Sequence, residues 1–329
     1  MMLLFSLVII RKMADIRLLI VMIAFVTGSA AAQAGGSSGS IPNEHISFDR
    51  PESWALKRFD AATLPSTMLP GVPMELQNVG STSVGLGTDW LPMLDAAQER
   101  VGFDGLVPED LNKAPVLIRP IIGVQVPWKL RAFVIAPPPI STFGIKPRLA
   151  AFGLERPLLE RGPWTLDWQG YGQVGSVKGA FTCPSSVLAF PPGSAGNPTD
   201  CVGTSADIAS LHYAGMQFQV AHPLPQLPKL VPHASVAGAF VDVAFRSHAP
   251  TTFGLAQARM WTRGGMFSTA GGASYLFNPK IAFTVDVFYA PLAVSRSQGA
   301  PVTNDGFFNV RALLSYRFSF RGGDTPTQH

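Results

Sequence analysis

Two cysteines are the first candidates for chemistry, because the chain contains no others. Cys183 and Cys201 bracket the stretch "CPSSVLAFPPGSAGNPTDC", whose proline, glycine and serine content is typical of a loop. A structural zinc site needs four ligands, and no neighbouring histidine or cysteine completes a set here. In an exported chain, where disulfides persist, the pair predicts a disulfide that pins an external loop. Closing a loop of this length is worth about 3 kcal/mol.

Two glycine motifs match known signatures by their letters alone. The segment "GYGQVG" fits the dinucleotide pattern G-x-G-x-x-G, but Gly170, Gly172 and Gly175 lie inside a strand pattern that no helix follows. The segment "GGSSG" (35–39) fits the nucleophile elbow G-x-S-x-G, but it lies in a linker rather than between a strand and a helix. We therefore expect no cofactor, no metal and no catalytic residue.

A hydrolase would need serine, aspartate and histidine side chains that converge at one end of the fold. The six histidines are scattered along the chain: His45, His212, His222, His233, His248 and His329. His212 and His248 flank two long links, and Ser205, Asp207 and Ser210 lie near the first of these. No diagnostic motif connects them. The sequence therefore predicts a non-enzymatic protein, with an outer-membrane hydrolase retained as an alternative.

The N-terminus has the features of a secretory signal peptide. Basic residues precede the apolar run "LLIVMIAFVTGSA", and "AAAQA" offers small-residue cleavage sites. Residues 1–34 are therefore predicted to be removed, with Met1 or Met13 as the start. They contain three cations and one anion, so cleavage lowers the net charge from +4 by two. A chain so near neutrality has no electrostatic basis for binding nucleic acid.

Apolar and polar residues alternate with a period of two from residue 73 onward, which indicates strands with two different faces. In "FFNVRALLSYRFSF" (307–320), apolar residues occupy every second position, and Leu313 is the one apolar residue between them. The segments 164–174 and 281–289 alternate as cleanly. Further strands are predicted within 74–90, 114–126, 128–136, 145–156, 211–222, 233–246 and 266–277.

Short and long connections alternate between these strands. Short links lie near Val126, at 160–163, at 223–232 and at 278–280, and long links cover 91–113, 137–144, 181–210, 247–265 and 293–306. This alternation of short and long links predicts ten strands in an up-and-down meander. A further pair that includes "FGLAQARMWT" (253–262) would make twelve.

The alternation fits either a soluble β-sandwich or a membrane barrel. The chain is 47% hydrophobic and 14% charged, whereas soluble domains average about 25% charged residues. Aromatic residues end the apolar stripes, as in interfacial girdles. In hydrocarbon every backbone polar group needs an internal partner, which a closed barrel provides. The sequence therefore predicts a transmembrane barrel, with a soluble periplasmic β-protein as the rival fold.

The final strand resembles the C-terminal assembly signal of bacterial outer-membrane β-barrel proteins, in which apolar residues alternate and an aromatic closes the strand. The matching residues are Phe308, Val310, Leu314, Tyr316 and Phe318 or Phe320. This resemblance covers about residues 73–320 and implies outer-membrane lipid and the barrel-assembly machinery as partners. The tail "RGGDTPTQH" (321–329) departs from the family, whose chains often stop at the aromatic.

The region before the barrel, residues 35–72, is predicted to be a periplasmic leader with a short helix. Asp49 is a plausible N-cap and Pro51 suits the first turn, and a plug near the barrel mouth is the alternative position. The domain order is therefore a signal peptide (1–34), this leader, a barrel (73–320) and a C-terminal tail.

The polar faces of the strands are predicted to line the lumen. The main residues are Glu75, Lys129, Arg131, Asp167, Gln169, Gln173, Asp242, Asp286, Arg311 and Arg317. Charges of both signs can pair across a narrow lumen, and open aqueous channels need about 16–18 strands. We therefore expect a narrow pathway for a small or apolar solute, and the alternative is a structural or adhesive surface protein with a closed lumen.

Overall fold

A closed barrel of ten antiparallel strands forms most of the protein. The computed structural model describes residues 43–67, 80–103, 105–141, 143–297 and 299–318. The strands are β1 (Thr82–Trp90), β2 (Val116–Val126), β3 (Leu130–Ile135), β4 (Lys146–Arg161), β5 (Trp164–Gly179), β6 (Asp207–Ala221), β7 (Leu230–Thr251), β8 (Gly254–Asn278), β9 (Ile281–Ala290) and β10 (Phe307–Phe318). Each pairs with its neighbours in sequence, and β10 also pairs with β1, which closes the sheet. The predicted up-and-down barrel of about ten strands is confirmed.

The connections divide the barrel into a short-turn end and a long-loop end. Short turns join β2 to β3, β4 to β5 and β8 to β9, and an eight-residue link joins β6 to β7 at the same end. At the long-loop end lie the links 91–115, 136–145, 180–206 and 291–306. In outer-membrane barrels the short turns lie in the periplasm, and by this convention we call the long-loop end the external end.

The predicted long link at 247–265 is wrong. Strands β7 and β8 continue through it, over 22 and 25 residues, and their ladder extends to Thr251 and Gly254. The segment 253–262 is therefore part of β8 and not an extra strand pair. This hairpin projects past the apolar belt, so its outward positions, such as Arg246 and Arg259, are polar. The alternation of apolar and polar residues that predicts a strand is therefore lost there.

Turn chemistry agrees with this topology. The Asn278 side-chain oxygen accepts hydrogen bonds from the Lys280 and Ile281 amides, at 2.8 and 3.0 Å, which closes the β8–β9 turn. Gly254 has a φ of +109°, a conformation that only glycine adopts readily, where the β7–β8 hairpin reverses. Local sequence therefore fixes where these ladders begin.

The outer face of the barrel is an apolar belt. On β9 the residues Phe283, Val285, Val287 and Tyr289 are 38–41% exposed, whereas the intervening Asp286 is 2% exposed. A similar alternation occurs on β2, β6 and β7, and on β10 it leaves Leu314 half exposed. The apolar faces therefore point outward, which excludes the sandwich alternative, in which they would meet across a core.

The inside of the barrel holds one helix, α1 (Pro51–Thr67). It contacts β4, β5, β6, β7, β8 and β10, which surround it on opposite sides. Trp54, Lys57, Asp60, Ala61 and Leu64 on different sides of the helix are all buried. Only a position within the lumen gives a helix neighbours all around, so α1 is a plug.

The helix takes the plug position, which the sequence analysis left open beside a periplasmic leader. Glu44 and His45 pair with Met260 and Trp261 of β8, beyond the point where β9 ends, so α1 begins at the long-loop end. Its Thr63 reaches Gln173 and Tyr213 within the barrel. The signal peptide (1–34), the segment 68–79 and the tail lie outside the described residues.

Among the described residues, no helix has the length and hydropathy needed to cross a membrane.

A charge on the belt tests the orientation of the strands. We expect Val285→Arg to destabilise the folded barrel in lipid vesicles, lowering its free energy of unfolding by about 2–4 kcal/mol, because it places a guanidinium in hydrocarbon. The measurement is equilibrium refolding followed by the heat-dependent shift in gel migration. Val302→Arg, in an external link, is the control. Equal stability of the two variants would contradict the lipid-facing belt.

Candidate functional site

The plug helix is fastened at its first turns to the external links. The Lys57 ammonium donates to the carbonyl oxygens of Phe48 and, at 2.7 Å, of Ala293. The Trp54 indole N–H donates to the Asp305 carbonyl oxygen at 2.9 Å. Carbonyl acceptors thus satisfy the buried ammonium where no carboxylate contacts it among the described residues. These bonds hold α1 against the 291–306 link.

The far part of α1 is fastened to the barrel wall. The Tyr213 hydroxyl donates to the Thr63 carbonyl oxygen at 3.0 Å, and the Gln173 amide donates to the Thr63 hydroxyl at 3.0 Å. Asp60 is fully buried, and both of its carboxylate oxygens lack a hydrogen-bond partner among the described residues. The helix therefore has fixed contacts at both ends.

Asp207 organises the largest external link. It accepts hydrogen bonds from the amides of Phe181 and Thr182, both at 2.8 Å, and from the hydroxyls of Ser205 and Ser247, at 2.7 and 2.9 Å. No imidazole side chain belongs to this set among the described contacts. Asp207, one of the residues considered for a hydrolase site, therefore connects the 180–206 link to β7 through these hydrogen bonds.

The Cys183–Cys201 disulfide is present in this link, with a Cα–Cα distance of 5.8 Å. The Cys201 amide also donates to the Asn197 side chain at 2.8 Å, and the Val202 amide donates to the Pro250 carbonyl oxygen at 3.0 Å. The link is thus folded back onto the end of β7.

His212 and His248, the remaining hydrolase candidates, do not meet. Both stand on outward positions, His212 opposite Asp242 on the neighbouring strand and His248 opposite Gln257. Five residues of β7, 243–247, lie between the two rows. The described part of the chain also contains no cluster of three or more His, Cys, Asp or Glu side chains able to hold a metal.

An apolar cavity lies between α1 and the barrel wall, near the long-loop end. It is partly open to solvent. Its apolar lining includes Phe59, Ala62, Leu117, Leu149, Val177, Leu211 and Phe307, and its polar lining is Arg58, Thr63, Asn112 and Lys113. Apolar cavities with a few polar groups are typical ligand sites.

The barrel wall beside this cavity lacks a strand. The β2–β3 ladder ends at the pair Ile121–Ile135, and the β3–β4 ladder ends at the pair Ile135–Ala151. Val116–Pro120 of β2 and Lys146–Ala150 of β4 therefore have no ladder partner on this side among the described residues. At about 3.3 Å per residue, this interval extends for about 16 Å. We call it the lateral opening.

Proline explains why the opening forms. Strand β3 runs into Pro137, Pro138 and Pro139, which have no N–H to donate to a ladder. Pro120 and Pro147 lie on the two facing edges, so each edge has one unpaired donor fewer. An open edge in lipid costs several kcal/mol per unsatisfied group, and fewer donors lower that cost.

Leu117 and Leu149 connect the opening to the cavity. Leu117 lies on the unpaired part of β2 and Leu149 on the unpaired part of β4, and both line the cavity. The 136–145 link, which connects β3 to β4, exposes Ile140 and Phe143, at 61% and 58%.

The structure places most of the described lumen candidates inside the barrel. Asp286 and Arg311 form a buried ion pair with His233 at 3.6 Å from the Asp286 carboxylate. Arg131 pairs with Glu155 at 3.2 Å. Asp167, Gln169, Gln173 and Arg317 also lie on inward positions.

Two candidates lie elsewhere. Asp242 faces outward and pairs with Arg263 at 2.9 Å, because Val241 and Val243 occupy the inward positions of β7. Lys129 lies in the β2–β3 turn and pairs at the surface with Glu160, at 3.5 Å. Glu75 lies outside the described residues.

In the terminal strand, the predicted assembly residues all lie on outward positions: Phe308, Val310, Leu314, Tyr316 and Phe318. Phe320 lies outside the described residues. Sequence reasoning missed Arg58, Lys113 and the cavity. The signal that could have revealed the opening is the run of prolines at 137–139, directly after a short strand pattern.

A closed barrel with an apolar outer belt satisfies the backbone internally and meets lipid outside. The protein is a closed β-barrel of the transmembrane type.

The chain is similar, at low identity, to several solved structures. The outer membrane protease OmpT from Escherichia coli is 10% identical, with 76% of this chain and 99% of that protein covered and a TM-score of 0.36. Ail, the attachment invasion locus protein of Yersinia pestis, is 10% identical, with coverages of 73% and 100% and a TM-score of 0.28. The outer membrane protein OprG from Pseudomonas aeruginosa is 11% identical, with coverages of 73% and 96% and a TM-score of 0.29. These similarities concern the fold alone.

No protein-family model matches the sequence, and no curated protein matches it either.

A carboxyl group in the first external link is electrostatically unusual. Glu109 lies with Glu52, Phe245 and Met260 around a small cavity beside α1. Burial raises the pKa of Glu109 from 4.5 to about 7, with smaller contributions from the carboxylates of Asp207 and Glu52. The folded state therefore binds more protons than the unfolded state between these pH values.

Stability should accordingly fall as the pH rises from about 4.5 through 7. We expect Glu109→Gln to raise the unfolding midpoint at pH 8 and to change it little at pH 4, because the amide cannot ionise. Thermal unfolding followed by gel migration measures this. Glu160→Gln, at the exposed short-turn end, is the control. An equal gain at both pH values would assign the effect to packing rather than ionisation.

Proposed function

We propose that this barrel conducts a small, largely apolar molecule between the outer leaflet and the lumen through the lateral opening. The observation that carries the proposal is the apolar cavity that faces the unpaired interval between β2 and β4. An axial water-filled route is disfavoured because α1 fills the external half of the lumen. The protein acts without catalysis in this scheme.

The cavity suits such a molecule. Its walls are mainly aliphatic and aromatic, so they gain from removing apolar surface from water, at about 25 cal/mol per Å². Leu117 and Leu149 form its outer side and the helix residues Phe59 and Ala62 its inner side. A molecule that leaves the lipid would thus exchange one apolar environment for another.

Filling the cavity should block this route. We expect cells that produce the Leu149→Trp variant to take up N-phenyl-1-naphthylamine at the rate of cells without the protein, because the indole occupies the cavity. The initial fluorescence increase measures uptake. Val287→Trp, which adds the same ring to the outer face of β9, is the control and should keep the wild-type rate.

Heat-dependent gel migration establishes that each variant is folded, and Ala62→Leu offers a smaller filling group should Leu149→Trp fail this check. Wild-type uptake by both folded filling variants would contradict the lateral route. Stable single-channel steps of the wild type in planar bilayers would also contradict it, since they indicate an axial aqueous pore.

A second candidate is an adhesive surface protein, and the β7–β8 hairpin favours it. This hairpin extends well past the belt, and Phe253 at its tip is 89% exposed. A rigid two-stranded arm with an exposed aromatic tip suits contact with another surface.

We also propose that β10 presents the chain to the barrel-assembly machinery. Phe318→Ala should lower the amount of folded protein in the outer membrane, because it removes the closing aromatic of the terminal strand. Fractionation and immunoblotting measure this, with Val302→Ala as the control. Unchanged levels of the Phe318→Ala protein would contradict the proposed role of this residue.

A further inference from the structure

We infer that the ligand of the cavity is an amphipathic molecule with one anionic group, such as a carboxylate, and that Arg58 is the residue that selects for its charge. The inference rests on the proposed function, since it names the chemical class of the molecule that uses the lateral opening.

The charge of the cavity lining is of one sign. The two ionisable residues in the lining are Arg58 and Lys113, and none of the described lining residues is Asp or Glu. Elsewhere in the barrel, buried arginines have acidic partners, as Arg119 has Asp89 and Arg311 has Asp286. The described lining of the cavity therefore holds cations and no anions.

Arg58 is the cation with donors to spare. Its Nη2 donates to the Pro92 carbonyl oxygen at 2.7 Å, and its guanidinium stands 5.3 Å from the centroid of the Phe307 ring. No carboxylate lies within ion-pair distance of it among the described residues. A guanidinium has five N–H donors in a planar fork that matches a carboxylate, so one hydrogen bond leaves most of them available.

The nearest acidic groups are committed to other partners. Asp305 pairs with Arg296 and accepts a hydrogen bond from Gln98 at 2.8 Å. Glu99 accepts a hydrogen bond from Asn112 at 2.8 Å. Lys113, the second cation of the lining, is paired with Asp110 at 2.7 Å. Arg58 therefore remains the cation that an incoming anion would neutralise.

The outer edge of the opening carries cations as well. Lys146 and Arg148 are exposed on the outward face of β4, and Lys146 stands directly opposite Lys178 of β5. Like charges placed opposite each other across a ladder repel, and an anion nearby relieves the repulsion. These residues create a positive field at the membrane surface, which would concentrate anionic amphipaths where the opening begins.

The position of Arg58 on α1 and the apolar lining toward the opening indicate how the ligand lies. Its anionic group reaches Arg58 on α1, and its apolar body lies along Leu149 and Leu117 toward the opening.

The test compares decanoate with decanol, which share a chain and differ in charge. Full-length protein in nanodiscs is dialysed to equilibrium at pH 8 against each radiolabelled ligand, with empty nanodiscs as the blank. We expect decanoate to bind about tenfold more tightly than decanol, because a charge-assisted hydrogen bond is worth about 1.5–3 kcal/mol. Arg58→Gln should abolish this preference and leave decanol binding unchanged, and Arg58→Lys should restore most of it.

Lys178→Gln is the matched control, since it removes a cation from the same end without altering the cavity lining. Equal binding of the two ligands to a wild type that binds both would overturn the inference while the proposed function stands. Binding of neither ligand would contradict the proposed function itself. Loss of the preference in Lys178→Gln but not in Arg58→Gln would place the selection at the membrane surface and overturn the role of Arg58.

Discussion

The pairing of backbone amides within lipid is the constraint on which this structure depends. Hydrocarbon offers no partner to an N–H or C=O group, so the sheet must close, and the pairing of β10 with β1 closes it. Closure in turn sends the apolar face outward and the polar face inward. It also creates an enclosed space, and the remaining features of the protein concern how that space is filled and reached.

Most of the space is filled by pairing and by α1. Ion pairs such as Asp286–Arg311 and Arg131–Glu155 satisfy inward charges that water does not reach freely. The helix occupies the external half of the lumen, where hydrogen bonds to wall and links hold it. What is left is the apolar cavity beside β4, and the lateral opening is an interval of the wall beside that cavity in which β2 and β4 have no ladder partner on their facing sides among the described residues. The prolines at its edges reduce the number of donors that such an interval leaves unsatisfied.

Several elements were predictable because they depend on local pattern. The alternation in 281–289 determines which face of β9 is apolar, and Asn278 marks its turn. Two predictions from the local pattern were wrong. Asp242 was assigned to the lumen although its neighbours Val241 and Val243 are the inward residues, because one polar residue in an apolar run does not reveal the register. The hairpin beyond residue 246 was read as a link, because strands that leave the membrane no longer need an apolar face.

The sequence by itself determined the fold class, because a period of two combined with scarce charge and an export signal leaves few stable arrangements. It also marked the cysteine pair as structural. Tertiary structure alone decided where α1 lies, since a seventeen-residue helix has the same local pattern outside the barrel as within it. It also decided that β3 ends before its neighbours do and that Arg58 faces an apolar cavity whose described lining contains no Asp or Glu. These features arise from contacts between segments far apart in the chain, and such contacts leave no periodic trace in the residues themselves.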